Sequence, residues 1–484
     1  MKTVRMSIKE RKYSLYIHVT SLPLLWAILY TAPIGDPTMR ILALAVLALL
    51  VYVPLRATES SALIVHEWGT FTSMQNEFGQ TLGGMNNEEE LLPNFVHSMG
   101  RIIQSQARPR NDYFYKGLPA NRPDVTMRLE TPVVYFHLPD GVKETRLDLN
   151  VKFNGGYLTQ YFPIAKTTPS DARELYNPIT EKTQGGLNWN GLVVGTSKTP
   201  PETSSGIWNA PRNVNAANVQ AASPDLPVDE FDEKAEKYNR RQVSQVEKYL
   251  FYRGVGRMNA PLMITRNENQ LSIHPQYALW KEQYKPEHLA RTVWLVDIRE
   301  DGRVAWRRQE LAIPQAAVKD APLPTLATFP ATFEASEYAR ADQVAGARGG
   351  MGALKHELQG ALMAEGMFED EANALLNTWD ASYFKASGLR VFFMVPQAWT
   401  DEVLPLEVKT DLPLGKIKRA MVGRIELITP EQRALAGKIV ASGMTNFGVA
   451  KQGPDVREYY QKLGRFRNVI LLDVKQKLDY FINE

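Results

Sequence analysis

The chain has 484 residues, too many for one ordinary domain, and its 44% apolar and 23% charged residues allow a sizeable core. It has no cysteine, which excludes disulfides, thiolate metal sites and cysteine nucleophiles. Of the formal charge of +3, residues 1–62 supply +4 (seven Lys/Arg against three acidic residues), leaving −1 for the rest, so the body is not expected to hold nucleic acid.

Ile41–Val53 is an unbroken apolar run of 13 residues, ILALAVLALLVYV. A spanning helix needs roughly 20 residues, whereas the core of a secretory signal is this short. Met39-Arg40 stands directly before the run, Pro54 ends it, and Ser60-Ser61-Ala62 supplies small residues for cleavage. Residues 39–62 thus read as a complete signal peptide, with Met39 as an alternative start. Leu15–Ile34 is a second, more diluted apolar stretch behind five basic residues. If both stretches span, the body returns to the cytoplasm; a buried hydrophobic hairpin is the third arrangement. The expectation is a leader over residues 1–62, either a cleaved signal or a membrane anchor. The body would then be periplasmic or extracellular, or held at the inner membrane.

The body starts with a short strand at Leu63-Ile64-Val65. Residues 72–125 read as mostly irregular. Val133–Leu138 is β-branched and aromatic, and Leu147, Leu149, Val151 and Phe153 alternate with polar residues, the period of a half-buried strand. Asn154-Gly155-Gly156 reads as a turn, with Tyr157–Phe162 pairing back. Residues 166–230, rich in Pro, Asn, Ser and Thr, read as one long irregular loop with islands at Leu187–Val194 and Ile207-Trp208. Tyr249–Tyr252 resumes strand character. Thr292–Arg299 and Arg303–Leu311, joined by Asp301-Gly302, predict a hairpin.

After Pro330 the pattern changes. Met351–Ala364 and Glu369–Ala386 have helical spacing, and strands return at Leu389–Val395 and Ile417–Ile428. Thr429-Pro430-Glu431-Gln432 is a helix start, with the helix running to about Ala441 and ending near Gly443. A last helix-strand pair is expected near Val456–Leu463 and Asn468–Asp473. The fold class is therefore α+β, mainly β: a β-sandwich-like body with helices inserted in the C-terminal third. It divides into a β-rich domain over 63–330 and an α+β segment over 331–484 packed on the same body.

Chemistry concentrates near His66-Glu67. In a strand these neighbours point to opposite faces unless Gly69 bends the chain. His66 can serve as a metal ligand or base, or pack with Trp68 in the core while Glu67 bonds to a backbone group or an arginine. His97 and His137 are the candidate co-ligands of a divalent metal such as zinc, which takes three nitrogen or oxygen ligands and keeps one position open. Glu67 and Glu130 are the candidate catalytic carboxylates. His356-Glu357-Leu358-Gln359-Gly360 opens like a helical zinc-protease motif but has Gly where the second His must stand. No Gly-x-Ser-x-Gly elbow occurs. Gly349-Gly350-Met351-Gly352 lacks the Lys-Ser/Thr of a phosphate loop and reads as a hinge into a helix. The tryptophans, Trp189, Trp208 and Trp294 among them, read as core unless exposed.

The string His66–Thr72 (HEWGTFT), with Glu130–Phe136 (ETPVVYF), Phe251-Tyr252-Arg253-Gly254, Thr378-Trp379 and Val422–Glu426, resembles a family of exported proteins of environmental bacteria that have no assigned activity. The matching strings span nearly the whole body. The resemblance implies secretion and transfers no catalytic residue. His137 stands where the family's pattern has another aromatic, which counts against it as a ligand.

Two functions fit. One is a non-catalytic envelope protein that binds a glycan, peptide or partner protein through the 166–230 segment. The other is an exported metal-dependent hydrolase using His66 and Glu67. Sequencing the mature N-terminus checks the leader: a start just after Ala62 is expected, and an intact residue 1–62 segment would contradict cleavage.

Overall fold

Ile64–Gln75, the strand that carries HEWGTFT, is buried along nearly its whole length, because both of its edges are paired inside one large sheet. In the computed structural model the described residues are 61–87, 91–100, 114–115, 117–232, 237–317, 321–340, 350–441 and 462–483. The leader's apolar runs lie outside them. The chain from Ser60 onward forms one compact unit. No helix among the described residues is long and apolar enough to cross a membrane.

Seven strands make the central run of the sheet: β1 (Ile64–Gln75), β2 (Met127–His137), β3 (Gly156–Phe162), β4 (Leu250–Gly256), β5 (Thr292–Ile298), β6 (Gly388–Val395) and β7 (Lys418–Leu427). Their spatial order is β3-β4-β2-β1-β7-β6-β5. Within this run β1 and β7 are parallel and the other neighbours antiparallel. The sheet continues past β3 through Gln184–Val194, Val219–Asp232 and Lys237–Glu247, and past β5 through Arg303–Glu310. A three-stranded sheet of Leu262–Asn267, Gln270–Pro275 and Ala327–Pro330 stands apart. The protein is mostly β, with helices in its C-terminal part, as the sequence predicts.

Period-two alternation gives β1 two different faces. Trp68 belongs to a core shared with Val133 and Tyr135 of β2, Trp294 of β5 and Ala420 of β7. Phe71, on the other face, belongs to a core with Leu129, Val134, Met421 and Ile425. Each such side chain contributes about 1.5–3 kcal/mol by leaving water. The first face is covered by α1 (Met351–Ala364) and α2 (Glu369–Thr378). Met351, Leu354, Leu358 and Leu362 of α1 are buried at helical spacing, as are Ala372, Leu375 and Leu376 of α2.

One irregularity rearranges β2. Trp68 pairs with Val133 and Thr70 with Glu130, so Gly69 opposes both Thr131 and Pro132. Thr131 adopts φ +50°, a left-handed conformation, and Pro132 has no N–H to give the ladder. The extra residue is a β-bulge, and it inverts the face pattern beyond it. Glu130 and Arg128 therefore join Val133, Tyr135 and His137 on the helix-covered face. A Cβ on Gly69 would come within 2.9 Å of Met421 Sδ and 3.1 Å of the Pro132 backbone, so a larger residue would press on Met421 and on the bulge.

Several expectations are corrected. Residues 166–230 are not one loop: Gln184–Val194 pairs with Thr145–Asn154 along most of its length, burying Leu187, Trp189, Leu192 and Val194. β3 does not pair back onto Thr145–Asn154; it crosses to β4. Asn468–Asp473 is helical, part of Arg467–Asn483, because Val469, Ile470 and Val474 form one buried stripe. The helix expected over Glu369–Ala386 stops at Thr378 and resumes as Asp380–Tyr383. The expected helix at Val456–Leu463 and the stop near Gly443 fall largely or wholly outside the described residues.

Glu67 lies on the face away from the two helices. Arg419 sits directly opposite it on β7, and Arg419 Nε donates to Glu67 Oε2 at 2.6 Å. Tyr252 Oη donates to Glu67 Oε1, and Arg419 Nη1 donates to Asp401 Oδ1 at 2.9 Å and to Leu404 O at 2.7 Å. Burial alone would push the Arg419 pKa down; the Glu67 charge and these hydrogen bonds carry it above the ordinary arginine value. Removing one partner leaves a buried charge uncompensated, which costs about 3–5 kcal/mol. R419M is expected to lose about that much, and the E67L/R419M pair far less, in urea unfolding. Equal losses would show that the ion pair is not what the site depends on.

Candidate metal centre

The register of β1 and β2 brings two histidines together. His66 faces Tyr135, and Ile64 faces His137, so His66 and His137 are diagonal neighbours two positions apart on one face. Their rings lie 5.4 Å apart, centroid to centroid. The first turn of α2 descends onto this corner and places Glu371 between them. His66 Nδ1 is 2.8 Å from Glu371 Oε2, and His137 Nε2 is 2.9 Å from Glu371 Oε1. One ligand atom from each of the three residues lies within 4.8 Å of the other two, and among the described residues this is the group able to hold a metal ion.

The surroundings fix how these groups point. His66 is 3% exposed and Glu371 fully buried. The Phe368 ring lies 4.7 Å from His66 and 4.9 Å from His137; at 43% exposure it forms part of the wall between the cluster and solvent. The Phe368 N–H donates to Glu371 Oε2 at 2.7 Å, tying the carboxylate to the helix start. Glu369, Asp370 and Glu371 occupy the first turn of α2, where the helix dipole favours negative charge.

The hydrogen-bond inventory carries the chemical reading. His137 Nδ1 lies 3.1 Å from the carbonyl oxygen of Asn215. A carbonyl only accepts, so Nδ1 carries the proton in that contact. Nε2 then offers a lone pair toward Glu371 Oε1, also an acceptor when ionised. Two acceptors at 2.9 Å require a cation between them, a proton or a metal ion. Two imidazoles and one carboxylate are also a donor set used by zinc and iron(II). A metal-bound histidine usually gives its other N–H to a carbonyl or carboxylate, and His137 has that arrangement.

The remaining sequence candidates lie elsewhere. His97 does not join: its Nε2 contacts Gln245 Oε1 at 2.8 Å, and its ring stacks on Tyr161 and Phe162. Glu67 is on the opposite face, bound to Arg419. Glu130 shares the face of His66 but is paired with Thr70, four residues along, about 13 Å at the rise of a strand. Tyr383 Oη donates to Glu130 Oε2 at 2.5 Å, and Arg128 Nε lies 2.5 Å from Glu130 Oε1. A single pocket holding His66, Glu67 and Glu130 therefore does not form. Sequence reasoning missed Glu371; its sole local signal is an acidic residue in the first turn of an amphipathic helix.

A separate groove of about 680 Å³ runs along α1, lined by Trp294, Met394, Arg291, Arg308, His356 and Glu357 among others. The other aromatic candidates are core: Trp189 and Trp208 are each 2% exposed. No family model matches the chain and no curated protein matches its sequence. Among solved structures it is similar to the Fcho1 Mu homology domain of Danio rerio with a bound Eps15 peptide. The identity is 9% and the TM-score 0.24, over 76% of this chain and 97% of that one. A likeness at that score assigns neither fold nor function.

With no metal present the bridging cation is a proton: burial pushes the Glu371 carboxyl up, but hydrogen bonds from His137 and His66, the His66 charge and the Phe368 N–H outweigh it and hold its pKa below the ordinary value of 4.5. A depressed carboxylate stabilises the fold fully above its unfolded pKa, and that part is lost as pH falls through the folded value. Urea midpoints of the wild type should therefore fall with acidification below pH 4.5, and E371Q should show a flatter acid limb. Parallel acid limbs would contradict this reading.

Proposed function

We propose that this chain is an exported or membrane-anchored protein that binds a divalent transition metal, zinc or iron(II), through His66, His137 and Glu371. The observation that carries the reading is the convergence of two imidazoles and a carboxylate within 4.8 Å, with the far nitrogen of His137 on a carbonyl. Three protein ligands leave at least one coordination position for water or another molecule, the arrangement of a reactive rather than a closed structural site. Export rests on the apolar leader and on the resemblance around HEWGTFT.

The hydrolase reading changes its residues. Glu67 is committed to Arg419, so activation of a metal-bound water would fall to the metal itself. A ligand-binding reading is favoured by the groove along α1, whose volume falls within the roughly 300–1,000 Å³ of small-molecule sites. In that case the metal centre and the groove are separate features of one envelope protein.

Elemental analysis of protein purified from its native compartment tests the metal. Stoichiometric zinc or iron is expected in the wild type and at least a tenfold fall in occupancy in H66A and E371A, while H97A keeps its metal. Wild-type protein that neither carries metal nor takes up zinc in a chelator-competition titration would overturn the proposal.

A further inference from the structure

The loop before Val219 has no sequence signal for a site, yet it touches the candidate ligands. Its Asn215 is exposed and meets the site through its backbone. The carbonyl faces His137 Nδ1 at 3.1 Å. The N–H donates to Asp370 Oδ2 at 2.9 Å. Asp370 Oδ1 meanwhile accepts from the N–H of Glu371 at 2.9 Å. One carboxylate therefore holds both the start of α2 and the peptide just before the one whose carbonyl meets His137.

The loop is docked by other means as well. Ala217 N–H donates to Phe136 O at 2.9 Å, beside His137 on β2, and Lys248 Nζ donates to Ala216 O at 2.9 Å. These bonds bring the loop to the strand. The bond to Asp370 adds the orientation of one peptide group. The N–H of residue 215 shares a rigid, planar peptide with the Val214 carbonyl, and that carbonyl accepts at 2.9 Å from the Ala216 N–H, which shares the next plane with the Asn215 carbonyl, so a hold on the first peptide restrains the second. That carbonyl holds the proton on Nδ1 and leaves the Nε2 lone pair directed at Glu371 Oε1.

We infer that Asp370 is a positioning residue for the metal centre, acting through the Asn215 backbone to fix the tautomer and ring orientation of His137. The inference rests on the proposed metal site. It makes the first turn of α2 responsible for two tasks: Glu371 supplies a ligand, and Asp370 orients a ligand on the facing strand. Outer partners of this kind typically change metal affinity by about 10–100-fold when removed.

The backbone character of the relay gives a sharp test. N215A keeps both peptide contacts and should bind zinc as the wild type does. D370A should weaken zinc binding by about 10–100-fold, with the thermal midpoint little changed, since Asp370 is only part-buried. D370N retains one oxygen for the Asn215 N–H and should recover most of the loss. Histidine-selective ¹⁵N NMR gives an independent reading: His137 Nδ1 should carry a hydrogen-bonded proton in wild type, N215A and D370N, and that hydrogen bond should weaken in D370A. Zinc affinity and His137 resonances unchanged in D370A would overturn the relay. A wild type that fails to bind zinc, yet shows the Asp370-dependent Nδ1 hydrogen bond, would overturn the metal proposal and leave the relay standing.

Discussion

The pairing of β1 between β2 and β7 is the constraint on which the rest depends. It joins a strand near the start of the body to one more than 340 residues later, and it fixes the register on both edges. With the register fixed, alternation decides chemistry. His66 and Trp68 must face the helices, and Glu67 must face away. A one-residue slip would carry His66 to the other core and bring Glu67 beneath α2. The Glu67–Arg419 bridge opposes that slip, because a displaced Glu67 would leave Arg419 buried without its carboxylate.

The two faces take different roles as a result. On one, Glu67, Tyr252, Arg419 and Asp401 form a closed set of hydrogen bonds that ties β1, β4 and β7 to the segment after β6. On the other, the imidazoles of β1 and β2 meet a carboxylate from α2. Both sets hold buried charge, yet they differ in kind. An arginine satisfies its carboxylate completely and permanently. Histidines meet theirs through lone pairs that a proton or a metal can occupy. The HEWGTFT string thus carries a structural residue and a candidate ligand side by side.

Much of this is legible in the sequence. The alternation of Leu147, Leu149, Val151 and Phe153 marks a strand, and Thr429-Pro430-Glu431-Gln432 marks a helix start; both are present. The opposite orientation of His66 and Glu67 follows from adjacency alone. The bulge at Thr131-Pro132 was not legible, since period-two reasoning assumes an unbroken ladder, and it is the bulge that turns Glu130 toward the helices. Leu187–Val194 stands out in the sequence as an island, but Asn188, Asn190 and the glycines suit a loop as well, so its pairing as a strand was not legible. Asn468–Asp473 misleads because its short apolar run, Val469–Leu472, fits strand and helix alike.

Glu371 shows the deeper limit. It lies 305 residues from His66 and 234 from His137, so no spacing connects them. His137 had counted against itself by departing from an aromatic pattern, yet its position two residues beyond the partner of His66 makes it the nearest imidazole. His97, with the same residue type and a closer sequence position, is turned onto Gln245 and an aromatic stack. The most direct test of the centre is X-ray absorption on zinc-loaded protein, wild type and H137A. A shell with two imidazoles at about 2.0–2.1 Å is expected in the wild type and one in H137A. A shell without imidazole, or one that H137A leaves unchanged, would contradict it.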